Sequence, residues 1–145
     1  MGVCEGKVII VTGAARGLGR AHALALANHG ARVVVNDLGV ERDGTAAASG
    51  PAQEVVDEIL AAGGEAIANN ADVADWNQAE TMIQQAIETW GVLDGLICNA
   101  GFLRDRMLAS MSEDEWDSVV RVHLKGHFAP ARHAITHWRE RAKQG

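Results

Sequence analysis

The chain has 145 residues, 48% of them hydrophobic and 22% charged, and a net charge of −6. That is enough for one domain with a buried core, and the acidic balance argues against nucleic acid or an anionic membrane surface as the main partner. No apolar run approaches the roughly 20 residues that span a bilayer, and the N-terminus lacks the basic region of a signal peptide.

The β-branched run KVIIVT (residues 7–12) predicts a buried strand. A glycine-rich turn follows, and then a helix, LGRAHALALANHG, that closes at His29 and Gly30. RVVVN (residues 32–36) predicts a second strand, and the small, polar residues 37–50 a mobile loop. Pro51 suits the first turn of a helix reaching about Ala62. GGEAIANNADV holds a weaker third strand. Asp75 with Gln78 has the spacing of a capping box, opening a helix to Trp90. LDGLICN (residues 93–99) predicts the fourth strand. Ser112 and Glu115 repeat the capping-box spacing and open a helix to about Lys143, with a kink expected at Pro130 and the Gly126 carbonyl left unpaired. Glu113, Asp114, Glu115 and Asp117 at its start, and Arg139, Arg141 and Lys143 at its end, match the helix dipole and need no functional reading.

Strand alternates with helix throughout, which means βαβ units and a parallel sheet covered on both faces. No repeat, low-complexity tract or second domain interrupts the pattern. The two cysteines, Cys4 and Cys98, give no disulfide framework, so a reducing cytoplasm is the expected compartment.

The turn TGAARGLG (residues 12–19) joins the first strand to the first helix. A phosphate must approach backbone N–H groups at a helix N-terminus, and side chains there would block it. Gly13 permits the tight turn, while Gly17 and Gly19 permit close approach of a pyrophosphate and close helix–strand packing. The spacing is G-x-x-x-G-x-G rather than G-x-G-x-x-G, and a bland turn is the alternative. Asp37 sharpens the reading: at the end of the second strand, about 20 residues past the glycines, a carboxylate can hold an adenosine ribose. It would also repel a 2′-phosphate, so NAD is favoured over NADP. Arg16 is the opposing signal, as a 2′-phosphate partner or simply a solvated loop residue.

These motifs resemble the short-chain dehydrogenase/reductase family. TGAARGLG is similar to its T-G-x-x-x-G-x-G cofactor turn, which brings Gly13, Arg16, Gly17, Leu18 and Gly19 to the cofactor. ADV, with Asp72 and Val73, is similar to its adenine-contacting motif. CNAG is similar to its N-N-A-G motif, with Cys98 in place of the first Asn ahead of Asn99, Ala100 and Gly101. The resemblance implies a Rossmann-like doubly wound parallel sheet with strand order 3-2-1-4 and its later strands missing. Residues 1–145 would then be the NAD-binding N-terminal portion of a single domain. VVVNDLG and AGFLRDRMLASMSEDEWDSVVRVHLKGHF further resemble the hydroxyacyl-CoA dehydrogenase part of peroxisomal multifunctional enzymes of type 2 and their bacterial relatives. That implies hydride transfer between NAD and a secondary alcohol, with a (3R)-hydroxyacyl-CoA as substrate class.

His123 stands where most of the family has the asparagine of its catalytic tetrad, which organises a water in a proton relay. An imidazole there can serve the same role or merely pack in the helix. His123, His127, His133 and His137 form two i, i+4 pairs, the spacing of a helical zinc site, but no carboxylate or cysteine falls at ligand spacing, so no metal is expected. The family's general acid is a tyrosine in Tyr-x-x-x-Lys, preceded by a serine. The chain contains no tyrosine, and Lys143 has Arg139, not tyrosine, four residues before it. The resemblance therefore implies a chain cut between cofactor binding and chemistry, inactive by itself. Its fourth strand would be a bare edge, prone to pair with another copy or with a missing C-terminal part. The rival expectation is a naturally short, non-catalytic dinucleotide-binding or interaction module.

Overall fold

A computed structural model describes residues 2–39 and 50–145. Four parallel strands, β1 (Val8–Val11), β2 (Arg32–Asn36), β3 (Glu65–Asn69) and β4 (Gly95–Ile97), lie in the order β3-β2-β1-β4. Helices α1 (Gly17–Asn28), α2 (Pro51–Ala61), α3 (Trp76–Trp90), α4 (Glu113–Val120) and α5 (Gly126–Lys143) connect and cover them. The expected Rossmann-like order is the observed one. No helix among the described residues is long and apolar enough to cross a membrane.

Period-2 geometry explains why both faces are apolar. In β2, Val33 and Val35 point into a cluster with Val55, Val56 and Ile59 of α2, while Val34 points into the opposite cluster with Met82 and Ile83 of α3 and Ala134 of α5. In β1, Val8 and Ile10 join the α3/α5 side, and Val11 the α1/α2 side. A strand buried on both sides reads as a continuous hydrophobic run, which is why β1 and β2 stand out in the sequence.

Three expectations need correction. The Asp75 carboxylate caps α3 by accepting from Gln78 N at 2.9 Å, but Gln78 does not close the box. Its Oε1 accepts instead from Asp72 N at 2.9 Å, because that loop N–H lies within reach and needs a partner. The fourth strand is shorter than residues 93–99, since only Gly95–Ile97 align with β1. The last helix is not one helix. After the Ser112–Glu115 capping box, which is complete, α4 gives way to a π turn over Arg121–Lys125 before α5 begins. Gly126 N donates to Arg121 O, five residues back, the wide-turn pattern. Pro130 is buried inside α5, past this irregular turn. The loop expected over residues 37–50 has its residues 40–49 outside the described ones.

The start of β4 is fastened to α5. Trp138 Nε1 donates to Leu93 O at 2.8 Å, His137 Nε2 accepts from Leu93 N at 3.3 Å, and Arg141 meets Asp94 at 2.9 Å. Among the described residues, β4 pairs with β1 alone.

Candidate cofactor cleft

The turns leaving β1 and β4 flank the crevice where the strand order reverses, the place where α/β sheets bind ligands. A cleft of about 320 Å³ opens there, within the range of small-molecule sites. Of the residues singled out in the sequence, Gly13, Arg16, Asp37, Asp72, Val73, Ala100 and Gly101 line it. Gly17, Leu18, Gly19, Asn99 and His123 stand behind or beside this lining.

The floor is built around Thr12, which is fully buried. Its hydroxyl accepts from the backbone N–H groups of Asn99 and Ala100, both at 3.0 Å, and donates to Ile97 O at 3.4 Å. The Asn99 side-chain amide donates back to Thr12 O and Gly13 O, each at 3.1 Å. The glycine turn and the CNAG segment are thereby locked together. Gly13 has φ +61, and a Cβ on it would lie 2.8 Å from Ala100 Cα. A Cβ on Gly19 would run into the Gly13 carbonyl oxygen. Gly17 differs: its φ is +54, but open space surrounds it, so its glycine answers a backbone need rather than a packing one.

α1 starts at Gly17 with Arg16 as N-cap, and no side chain caps it. The donors of its first turn therefore have no side-chain partner at the cap and carry the positive end of the helix dipole. Leu18 in that turn is exposed at 73%, an uncommon place for a large apolar side chain. Asp37 accepts from Ala15 N at 3.3 Å and from Gly39 N at 3.0 Å. These bonds hold its carboxylate against the glycine turn. The open space around Gly17, the α1 N-terminus and this carboxylate suit a dinucleotide. A roomier hollow of about 510 Å³ beside the N-terminal ends of β2 and β3 does not: it is lined by Glu5, Glu58 and Glu65, and it would repel phosphates.

On the other wall, Asp72 has its Oδ1 on Ala74 N at 2.9 Å and its Oδ2 on Arg121 at 2.7 Å. His123 lies in the π turn. Its Nε2 lies 3.1 Å from Phe102 N and 2.8 Å from Phe102 O, accepting or donating according to tautomer. Its ring fills the space a Cβ on Gly101 would need. The other histidines are engaged separately: His127 lies parallel to the His123 ring, His133 meets the Trp76 ring edge-on, and His137 bonds Leu93. Burial pushes the Cys98 thiol up, which keeps it protonated and unreactive.

Sequence reasoning missed Asn36, Leu38, Ala71, Phe102, Arg104 and Val122 in the lining. Asn36, buried at the end of β2, donates to Asn69 Oδ1 at 2.8 Å and Ala71 O at 3.0 Å. A polar side chain closing an apolar strand just before Asp37 was the available signal. The Arg104 guanidinium lies 4.6 Å from the Phe102 ring centre, a contact that no sequence pattern announces.

Fold and cleft define a Rossmann-like α/β chain open at the carboxyl ends of its strands. The short chain dehydrogenase family model matches residues 7–145, and the chain belongs to that family. It is 48% identical over 143 residues to hydroxyacyl-CoA dehydrogenase ChsB1 of Mycobacterium tuberculosis, covering 96% of this chain and 42% of that protein. It is 44% identical over 136 residues to peroxisomal multifunctional enzyme type 2 of Mus musculus, covering 94% of this chain and 18% of that one. The crystal structure of a short chain dehydrogenase from Mycobacterium avium superposes with a TM-score of 0.92 at 61% identity, over 99% of this chain and 50% of that one. The chain thus spans half the length, or less, of these relatives. The family is one of oxidoreductases that use nicotinamide dinucleotides.

Proposed function

We propose that residues 1–145 form the NAD-binding N-terminal portion of a single dehydrogenase domain, which oxidises a secondary alcohol of the 3-hydroxyacyl-CoA class. One observation carries this reading: the α1 N-terminus without a side-chain cap and the Asp37 carboxylate meet in one cleft. Backbone N–H groups from Gly13 through Arg16, Gly17, Leu18 and Gly19 would hold the pyrophosphate. Asp37 would accept from the adenosine ribose and repel a 2′-phosphate, which favours NAD over NADP. Asp72 and Val73 would flank the adenine, and Asn99, Ala100 and Gly101 would lead toward the nicotinamide. Bound NAD supplies the hydride acceptor.

The substrate class is supported by the hydroxyacyl-CoA dehydrogenase relative. His123 would hold the water of a proton relay at the family's asparagine position. With no tyrosine in the chain, the general acid must come from elsewhere, so the 145 residues alone should bind cofactor without turnover. The edge of β4 is the natural place for a C-terminal portion or a second copy to pair. A reducing cytoplasm suits the two free cysteines.

Calorimetric titration of the chain with NAD and with NADP tests the reading. NAD should bind more tightly, and Asp37→Ala should remove most of the difference. No heat with either nucleotide would overturn the cofactor assignment; equal losses for both in the variant would overturn the role of Asp37.

A further inference from the structure

The wall bearing Asp72 and the π turn bearing His123 belong to separate parts of the chain, yet they meet at two points. Arg121, the first residue of the π turn, places Nη2 2.7 Å from Asp72 Oδ2. At the other end of the turn, Gly126 lies so close to Val73 that a Cβ on it would be 2.9 Å from Val73 Cγ2. Asp72, Val73 and Val122, the neighbour of Arg121, all line the cleft. His123 follows Val122 and bonds Phe102, a further lining residue.

We propose that Arg121 is a positioning residue: its ion pair with Asp72, backed by the Gly126–Val73 contact, sets the gap between the Asp72–Val73 wall and the turn that presents Val122 and His123. Arg121 is not in the cleft lining, so it acts through Asp72 and through its own turn. The pair also occupies Asp72 Oδ2, while Ala74 N takes Oδ1. The carboxylate is thus held in place as a wall. The neighbouring backbone at Asp72 and Val73 is fixed with it, because Gln78 Oε1 accepts from Asp72 N. The π turn is the part that needs such a tie. A π turn is a rare interruption of a helix, and such turns gather at functional sites.

This inference rests on the cofactor reading above for its affinity readout, and on His123 for a second one. The test uses the 145-residue chain with Arg121→Met, Arg121→Lys, Gly126→Ala and, as control, Arg141→Met, which breaks an ion pair of α5 with Asp94 away from the cleft. NAD affinity and the NMR signal of the His123 ring are measured in each. Arg121→Met should weaken NAD by about fivefold, as expected for a partly exposed pair, and should move the His123 signal. Gly126→Ala should do the same from the other end of the turn. Arg121→Lys should restore most of the affinity, and Arg141→Met should change neither readout. Unchanged affinity and an unmoved His123 signal in Arg121→Met would overturn the inference, as would equal effects in Arg141→Met. If the parent chain binds no NAD, the cofactor reading fails, and the His123 signal alone then decides the role of Arg121: moved supports it, unmoved rejects it.

Discussion

The Asn99 side-chain amide reaches from the end of β4 to the glycine turn after β1 and donates to the carbonyl oxygens of Thr12 and Gly13, both at 3.1 Å. Two backbone acceptors thus depend on one side chain for partners within a part-buried floor. Asn99→Ala leaves them unpaired, which should cost about 1–3 kcal/mol of stability. It should also loosen Gly13 under the proposed pyrophosphate. Urea unfolding checks the first effect and NAD titration the second. Asn99→Asp should be no better than alanine, because a carboxylate cannot donate to either carbonyl.

The three glycines of the turn should respond differently to alanine. At Gly19 the new Cβ meets the Gly13 carbonyl and the Asn99 amide, neither of which can move without breaking the floor. Gly19→Ala should therefore abolish nucleotide binding and lower the unfolding temperature clearly. At Gly17 nothing is in the way, and only the left-handed backbone resists, a penalty of about 1–2 kcal/mol. Gly17→Ala should therefore lower the unfolding temperature less than Gly19→Ala. Gly13→Ala carries both penalties and should resemble Gly19→Ala. Thermal unfolding and NAD titration of the three variants rank them, and an equal loss at all three would contradict the distinction.

Much of the architecture is legible in the sequence for a physical reason. β1 and β2 are buried on both faces, so their β-branched runs mark them to within a residue or so. The glycine turn is legible because backbone conformation and lack of space both demand glycine there. What stayed hidden depends on partners far along the chain. Gln78 has capping-box spacing, but it was drawn to Asp72 N instead. The π turn over Arg121–Lys125 has no residue signature. Arg121 and Asp72 are 49 residues apart, a pairing that only the folded chain reveals. Phe102 and Arg104 join the cleft through the course of a loop, which no periodicity describes.

The link between α5 and β4 should weaken in acid. Burial tends to raise the Asp94 pKa, but the Val8 N–H bond, the Arg141 contact and the nearby Lys7 charge together hold it below the ordinary carboxylate value. A carboxyl lowered in the folded state adds stability that is fully present above its unfolded pKa. That stability is lost as pH falls through the folded value. Asp94→Asn should therefore be less stable than the parent at neutral pH, and the gap should close in acid, below the usual carboxylate range. Urea unfolding of both proteins across that range measures it; a gap that widens as pH falls would have the wrong sign.

Gly101→Ala separates the site from the scaffold. The added Cβ would lie 2.5 Å from Cε1 and 2.9 Å from Nε2 of His123, and the imidazole must yield. His123 is exposed and can swing outward, so the fold has an inexpensive escape. The ring then leaves Phe102, whose N–H and carbonyl were its partners, and those groups turn to water. Stability should change by less than about 1 kcal/mol, the range of exposed sites without buried partners. The histidine signal in NMR should shift to that of a solvated ring. In a complete enzyme carrying this chain, turnover should fall while NAD affinity holds, since the adenosine half of the cleft is untouched. Unchanged turnover with a displaced ring would mean that His123 only packs in its turn; lost NAD affinity would mean that Gly101 itself must stay bare for the dinucleotide to approach.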